Sequence, residues 1–301
     1  MLYLPYYSLK EKPFQDTANP KYFWLGEEQL EAISILKFGI DNGEGITSLT
    51  GGIGVGKTLL VKYLAGLLDD KFKIVNINDS DLDCKDFLLF LADSFKLPAN
   101  FDDKKSFFRY IDEQYSKTQK RMLIILDEAH RATKNLINDL NLMAKIKRDN
   151  AQLINIVLVG QHPLIELVKE ITPNGKRQKH SIVCHLRPLN KNQTHKYIKH
   201  RLKIAGTERS LFSSGAIGKI FQISEGIPRV INTICDHALM IGYSTELKKI
   251  KTSVIKDCAD DLKIQNRVFD NGKDLTRKTS GEKIVKQAYH RTKKKLFTWA
   301  S

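Results

Sequence analysis

The chain has 301 residues, 42% of them hydrophobic and 28% charged, a balance that suits an ordinary folded core and a length that suits two or three domains. A formal net charge of +15 and a pI near 9.5 leave anionic partners, nucleic acid or an acidic membrane surface, open beside a basic surface that serves no such partner. Cys84, Cys184, Cys235 and Cys258 are far apart with no C-x-x-C pair, no apolar run approaches about 18 residues, and Met1–Phe14 shows no charged segment ahead of an apolar one, so neither a zinc or disulfide framework nor a transmembrane segment nor a signal peptide is expected, and a reduced, cytoplasmic protein is.

Residues 1–26 are rich in aromatics and prolines, among them Tyr3, Tyr7, Pro13, Phe14, Tyr22 and Trp24, and are expected to lie across the domain surface as an ordered arm. Helical spacing follows over Glu27–Ile40, with Leu30, Ile33, Leu36, Phe38 and Ile40 apolar. Arm and first helix together are residues 1–40. A βα alternation then begins. The predicted strands are Ile46–Thr50, Phe72–Ile77, Met122–Leu126, Leu153–Val159 and Ser181–Leu186, separated by helices near 57–68, 84–95, 103–118, 133–147 and 162–170. Strands alternating with helices imply an α/β domain over 41–188 with a mostly parallel five-stranded sheet covered on both faces. After Arg187-Pro188 the strand signals stop. Helices over Gln193–Ile204, Ser214–Ile223, Pro228–Ile241 and Thr252–Leu262 imply a second, α-helical domain over 189–262. The tail 263–301 carries eleven Lys and Arg against three acids and is expected to be weakly ordered.

Chemistry enters where the first strand ends. Residues Gly51-Gly52-Ile53-Gly54-Val55-Gly56-Lys57-Thr58 fit G-x-x-x-x-G-K-[ST] and lie between a strand and the helix opening at Leu59. Glycines let backbone N–H groups turn inward around a phosphate, and the helix points its positive end at the same spot. Lys57 is the candidate for neutralising β- and γ-phosphate charge and Thr58 for holding Mg²⁺, with Gly51, Gly52, Gly54, Val55, Gly56 and Leu59 completing an ATP-binding loop.

The strand Leu123-Ile124-Ile125-Leu126 delivers two carboxylates, Asp127 and Glu128, at its C-terminal end, where open α/β sheets bind ligands. Asp127 is the second metal candidate, and Glu128 is the candidate base that polarises water for γ-phosphate hydrolysis. Gln161, after Gly160 at the end of the strand Ile154–Val159, is placed to touch the γ-phosphate. The basic loop Asn174–His180 offers Arg177 as a finger reaching a neighbouring subunit's nucleotide, and a solvated charged loop is the reading left open beside it. Gly226-Ile227-Pro228-Arg229 suits a sharp helix start, from which Arg229 would project onto the phosphates.

Phosphate loop, Asp-Glu strand, polar strand end, basic loop and helical-domain arginine, in this order, resemble an AAA+ ATPase. More closely, the chain resembles the general secretion pathway protein A (ExeA) family. The resemblance spans about residues 5–262 and includes Leu9–Phe14, Leu49–Thr58, Leu126–Ala129, Ile156–Gln161, His185–Leu189, Ile198–Leu202 and Gly226–Arg229, the last three blocks being specific to that group. It implies Lys57 and Thr58 on phosphate and Mg²⁺, Asp127 and Glu128 for hydrolysis, Gln161 as sensor 1 and Arg229 as sensor 2. It further implies a helical lid, with ATP between the two domains, and a ring or filament homo-oligomer in which a finger acts in trans. His130 stands where the family usually has Gln; the resulting D-E-A-H string comes without other helicase motifs, so no helicase is read. Lys179 stands where a second arginine is usual. Secretion members carry a transmembrane helix and a peptidoglycan-binding domain after this core, and no such segments are read in this sequence. The same core is similar to regulators of DNA transposition, so the expected partners are either envelope assembly proteins or DNA plus a transposase, with the protein cytoplasmic, at the inner membrane or on DNA. Phe297 and Trp299 beside Lys293–Lys295 suit backbone contact and base stacking, although such tails are more often merely solvated.

Overall fold

A computed structural model describes residues 3–68, 70–78, 84–95, 104–149, 151–170 and 181–262. The basic loop with Arg177 and Lys179, and the tail 263–301, lie outside the described residues. The described chain falls into two units, one of residues 27–51 and 60–186, the other of 3–26, 52–59 and 187–262.

The first unit is built on a parallel sheet. Its strands are β1 (Ile46–Gly51), β2 (Phe72–Ile77), β3 (Arg121–Leu126), β6 (Ile154–Gly160) and β7 (Ser181–Leu186), in the order β2-β3-β6-β1-β7. β6 is the middle strand, and β1 beside it pairs Leu49 with Val159 of β6 on one side and with Cys184 of β7 on the other. β1 and β6 are buried along their whole length; β6 accordingly reads as a near-continuous apolar run, whereas β1 also buries Thr47 and Thr50, whose hydroxyls donate to the Ile156 and Cys184 carbonyls. One face carries Ile124, Leu126, Ile156 and Leu158 against Phe87 of α4 (Cys84–Phe95), Phe107 of α5 (Lys104–Thr118), Leu140 of α6 (Lys134–Met143) and Leu164 of α7 (Pro163–Glu170). α2 (Glu27–Asp41) packs on β1 and β7, and Gly39 lets it approach, since a Cβ there would meet Thr47 and Ile182.

One predicted element ends early. The helix expected over 133–147 stops at Met143, and β4 (Lys147–Arg148) and β5 (Ala151–Gln152) form a small antiparallel hairpin. Asp149 takes the left-handed conformation, φ 48°, which Asp tolerates at such a turn. The Ile146 carbonyl then accepts from Leu153 N–H at 3.1 Å, leading the chain into β6.

The second unit contains α8 (Lys191–Ile204), α9 (Ser214–Ser224), α10 (Pro228–Ser244) and α11 (Thr252–Asp261). Their starts follow from local chemistry. Asn190 and Gln193 form a capping box on α8, the Ser213 hydroxyl caps α9, and Pro228 opens α10 at the first helical position. None of the described helices is long and apolar enough to cross a membrane.

The N-terminal arm does not lie across a surface as expected. It begins with the short helix α1 (Tyr3–Tyr6), and Tyr3, Tyr7, Leu9, Phe14 and Tyr22 are buried in the same core as Ile198, Ile231, Leu239 and Ile255. The physical reason is partly apolar, since each large side chain gains roughly 1.5–3 kcal/mol on burial. It is also polar. Arg201, 3% exposed, donates from Nε to the Pro13 carbonyl at 2.6 Å and from Nη2 to the Gln15 carbonyl at 3.1 Å. Its Nη1 donates to Tyr197 Oη at 2.7 Å, and its guanidinium lies 4.9 Å from the Tyr22 ring centre. A buried charge stays only where its donors are satisfied, and here arm carbonyls satisfy them. Tyr3 Oη donates to Asp236 at 2.6 Å and Tyr7 Oη to the Leu247 carbonyl at 2.9 Å.

Candidate functional site

β1 ends at Gly51, and after the loop 52–56 the helix α3 (Lys57–Leu68) begins at Lys57. Gly54 and Gly56 have φ of +77° and +102°, conformations that L side chains rarely adopt. At Gly54 a Cβ would also fall 2.8 Å from Arg229 Cβ, so close approach and conformation both demand glycine. Lys57 is only 6% exposed, and its Nζ donates to the Gly52 carbonyl at 2.9 Å. An ammonium group is thereby folded back over its own loop, at a helix start whose dipole also favours an anion.

Arg229 belongs to the same unit as this loop. Its backbone N–H donates to the Gly54 carbonyl at 3.2 Å, so the first turn of α10 is tied to the glycine turn. Its Nε lies 3.3 Å from Asp16 Oδ2 in the arm, both side chains being more than half exposed. Behind it, Leu189 N–H donates to the Gly226 carbonyl at 2.9 Å, a contact close enough that no side chain fits at Gly226. Sequence reasoning singled out Arg229 but not Asp16, whose partner is 213 residues away.

The sheet unit carries the second cluster at the C-terminal ends of β3 and β6. Asp127 is 6% exposed; its N–H donates to the Ile77 carbonyl and its Oδ1 accepts the Glu128 N–H, both at 2.8 Å. Glu128 takes a left-handed conformation, φ 51°, which is uncommon for a residue with a Cβ. That bend launches the 3-10 turn Ala129–Arg131 and leaves the Glu128 side chain 42% exposed. The turn rests on the end of β6, where a Cβ on Gly160 would fall 3.1 Å from His130 N and 3.3 Å from His130 Nδ1. His130, 14% exposed, has Nδ1 3.6 Å from Glu128 Oε2 and Nε2 3.0 Å from Gln161 Nε2. The structure therefore brings Glu128 and Gln161 onto one imidazole. The sequence shows His130 as a departure from a pattern and nothing of this bridge.

Each cluster suits one part of a magnesium nucleotide. The glycine turn that a Cβ would fill, with a buried ammonium folded over it, fits a phosphate chain, and a buried carboxylate at a strand end fits a hard divalent cation. Among the described residues no group of three or more His, Cys, Asp or Glu is placed to hold a metal by itself.

Residues 40–168 match the family model of an AAA domain. The fold is similar to the ORC2 protein of Aeropyrum pernix, solved as ADPNP–ADP complexes, with a TM-score of 0.65 and 14% identity over 85% of this chain and 72% of that one. It is also similar to Cdc6p from Pyrobaculum aerophilum, with a TM-score of 0.57 and 19% identity over 72% of this chain and 60% of that one. A P-loop domain of the AAA+ class is what fold and loop define. Within that class the chain belongs to the ExeA-like group. It is 31% identical over 253 residues to general secretion pathway protein A of Aeromonas hydrophila, covering 83% of this chain and 46% of that protein. The chain spans less than half the length of the curated relatives it matches.

Proposed function

We propose that the chain binds ATP with Mg²⁺, hydrolyses it, and uses the cycle to drive assembly or remodelling of a larger complex as a self-assembled ring or filament. The observation that carries this reading is the loop 51–58, with two glycines at positive φ and Lys57 buried and folded onto Gly52. In it, Gly51, Gly52, Gly54, Val55, Gly56 and Leu59 shape the nucleotide loop, Lys57 neutralises phosphate charge, and Thr58 and Asp127 hold the metal. Mg²⁺, when bound, would offset the negative charge of the β- and γ-phosphate oxygens. Glu128, exposed at its strand end, orients and deprotonates the attacking water. Gln161 contacts the γ-phosphate as sensor 1, and Arg229, anchored through its backbone to Gly54, contacts it as sensor 2. Arg177 is the proposed finger in trans.

The relative's name points to a secretion apparatus, and envelope assembly proteins are accordingly the proposed clients. The alternative, an ATP-dependent DNA-binding regulator of transposition, draws on the net charge of +15, to which no described structural feature adds. The test is nucleotide binding and phosphate release by the full chain. Lys57→Ala should weaken ATP binding by about tenfold or more, since a charge-assisted contact of roughly 1.4 kcal/mol is worth that factor. Glu128→Gln should keep ATP affinity within about twofold and lower phosphate release by about 10²-fold or more, the usual contribution of a general base. Wild-type turnover in Glu128→Gln would overturn the hydrolytic reading.

A further inference from the structure

We propose that His130 is a positioning residue that ties the carboxylate of Glu128 to the side chain of Gln161, so that phosphate contact at one sets the orientation of the other. The inference rests on the hydrolytic reading above and assigns a role that neither the phosphate loop nor the paired carboxylates supply.

The imidazole lies between the two groups, Nε2 3.0 Å from Gln161 Nε2 and Nδ1 3.6 Å from Glu128 Oε2. A neutral imidazole has one N–H and one acceptor nitrogen, so what one edge does dictates what the other can do. Gln161 presents its amide nitrogen to the ring. The Gln161 backbone N–H also points at Nδ1, from 3.4 Å, and a neutral imidazole accepts at one nitrogen only. With the shorter, side-chain contact accepted at Nε2, the proton sits on Nδ1 and faces the Glu128 carboxylate. At 3.6 Å this is an electrostatic attraction that a small movement of Glu128 would convert into a hydrogen bond. Gln161 has a second amide N–H. Donated to a phosphate oxygen, it holds the amide with its nitrogen toward both phosphate and ring, and so keeps the ring with Nδ1–H toward Glu128.

The opposite arrangement has opposite consequences. If the Gln161 amide turned its oxygen to the ring, Nε2 would carry the proton and Nδ1 would become an acceptor. It would then accept the backbone N–H of Gln161 that already points at it from 3.4 Å, and its lone pair would repel Glu128. The orientation of one amide thus decides whether the ring attracts or repels the catalytic carboxylate. The ring cannot drift from this position: it is 14% exposed, and it packs against Gly160, where even a Cβ would crowd Nδ1 at 3.3 Å. The left-handed backbone at Glu128, φ 51°, begins the turn that brings His130 back over β6.

The experiment uses the full chain and four substitutions, His130→Ala, His130→Gln, Gln161→Ala and the His130→Ala/Gln161→Ala pair, with Glu128→Gln beside them. Misplacing a catalytic group by about 1 Å can slow a reaction by about 10²-fold, so His130→Ala should lower kcat by about tenfold or more while KM for ATP stays within about twofold. The pair should be no slower than the slower single variant, because groups acting as one unit are not additive. His130→Gln can accept from Gln161 and donate to Glu128 and should recover most of the loss, and its folding guards against a merely damaged His130→Ala. Independently of activity, ¹⁵N NMR of the His130 ring should show the proton on Nδ1. Wild-type kcat in His130→Ala, independent multiplication of the two single losses, or a proton on Nε2 overturns the proposal while Glu128→Gln remains inactive. Turnover surviving in Glu128→Gln overturns the underlying reading instead, and the proposal with it.

Discussion

His200, in α8 beside the buried Arg201, shows how one residue links packing to solution behaviour. Its Nε2 is buried without a hydrogen-bond partner, and burial, aided by the charges of Arg201 and Lys203, lowers its pKa from 6.5, with only the backbone at Phe23 acting in the opposite sense. The folded state therefore keeps the ring neutral where the unfolded chain takes up a proton. Below pH 6.5 the unfolded state holds more protons, and stability rises with pH through that window. The contribution is present above 6.5 and lost as pH falls toward the lowered folded value. Urea unfolding at about pH 5.5 and about pH 7.5 should show wild type losing more stability on acidification than His200→Gln. Equal losses would remove His200 as the cause. At the same scale, Lys57, Thr58, Asp127 and Glu128 were legible because their spacing is local. Asp16 was not, because nothing near it in the chain points to Arg229, and the use of His130 depends on where β6 ends.

Among elements, boundaries were most legible where side-chain pattern and backbone chemistry agree. β2 and β7 run over the residues predicted, as do α3, α4 and α7 to within a residue, since apolar runs end at glycine, proline or polar breaks. The helix expected over 133–147 fails after Met143, because Gln152 and Leu153 compete for that stretch by pairing it into a hairpin. The arm is the larger departure. Aromatic and proline-rich composition marks a non-periodic segment and carries no statement of what it packs on. Its docking depends on Arg201, so Arg201→Ala should lower stability by about 2–4 kcal/mol, leaving the Pro13 and Gln15 carbonyls buried without donors. Arg201→Lys should recover only part, because an ammonium lacks the fork that reaches both carbonyls. Limited proteolysis should then cut first between Lys10 and Lys21. A fully protected arm in a folded Arg201→Ala would show that the aromatics alone hold it.

Across the whole molecule, each unit has its own buried core, and three thiols report on them. Cys184 lies in the sheet unit, Cys235 and Cys258 in the helical one, and all three are buried. Burial pushes Cys184 and Cys258 up to about 12 and Cys235 well above the usual thiol range, so almost no thiolate exists in the folded protein at neutral pH. Alkylation of the native chain should accordingly be slow. In rising urea Cys235 and Cys258 should become reactive together, since α10 and α11 share one core, while Cys184 tracks the sheet. Cys235 reacting well before Cys258 would show that the helical core opens piecemeal.

The sequence by itself determined the alternation of strands and helices, the phosphate loop and the paired carboxylates, because each is written in a short stretch whose chemistry is complete without distant partners. Strand order, with β1 between β6 and β7, the burial of the arm against Arg201, and the imidazole held between Glu128 and Gln161 were decided only by the tertiary structure. Each depends on which remote segments come into contact, and contact between remote segments is set by the packing of the whole core rather than by any residue's own preference.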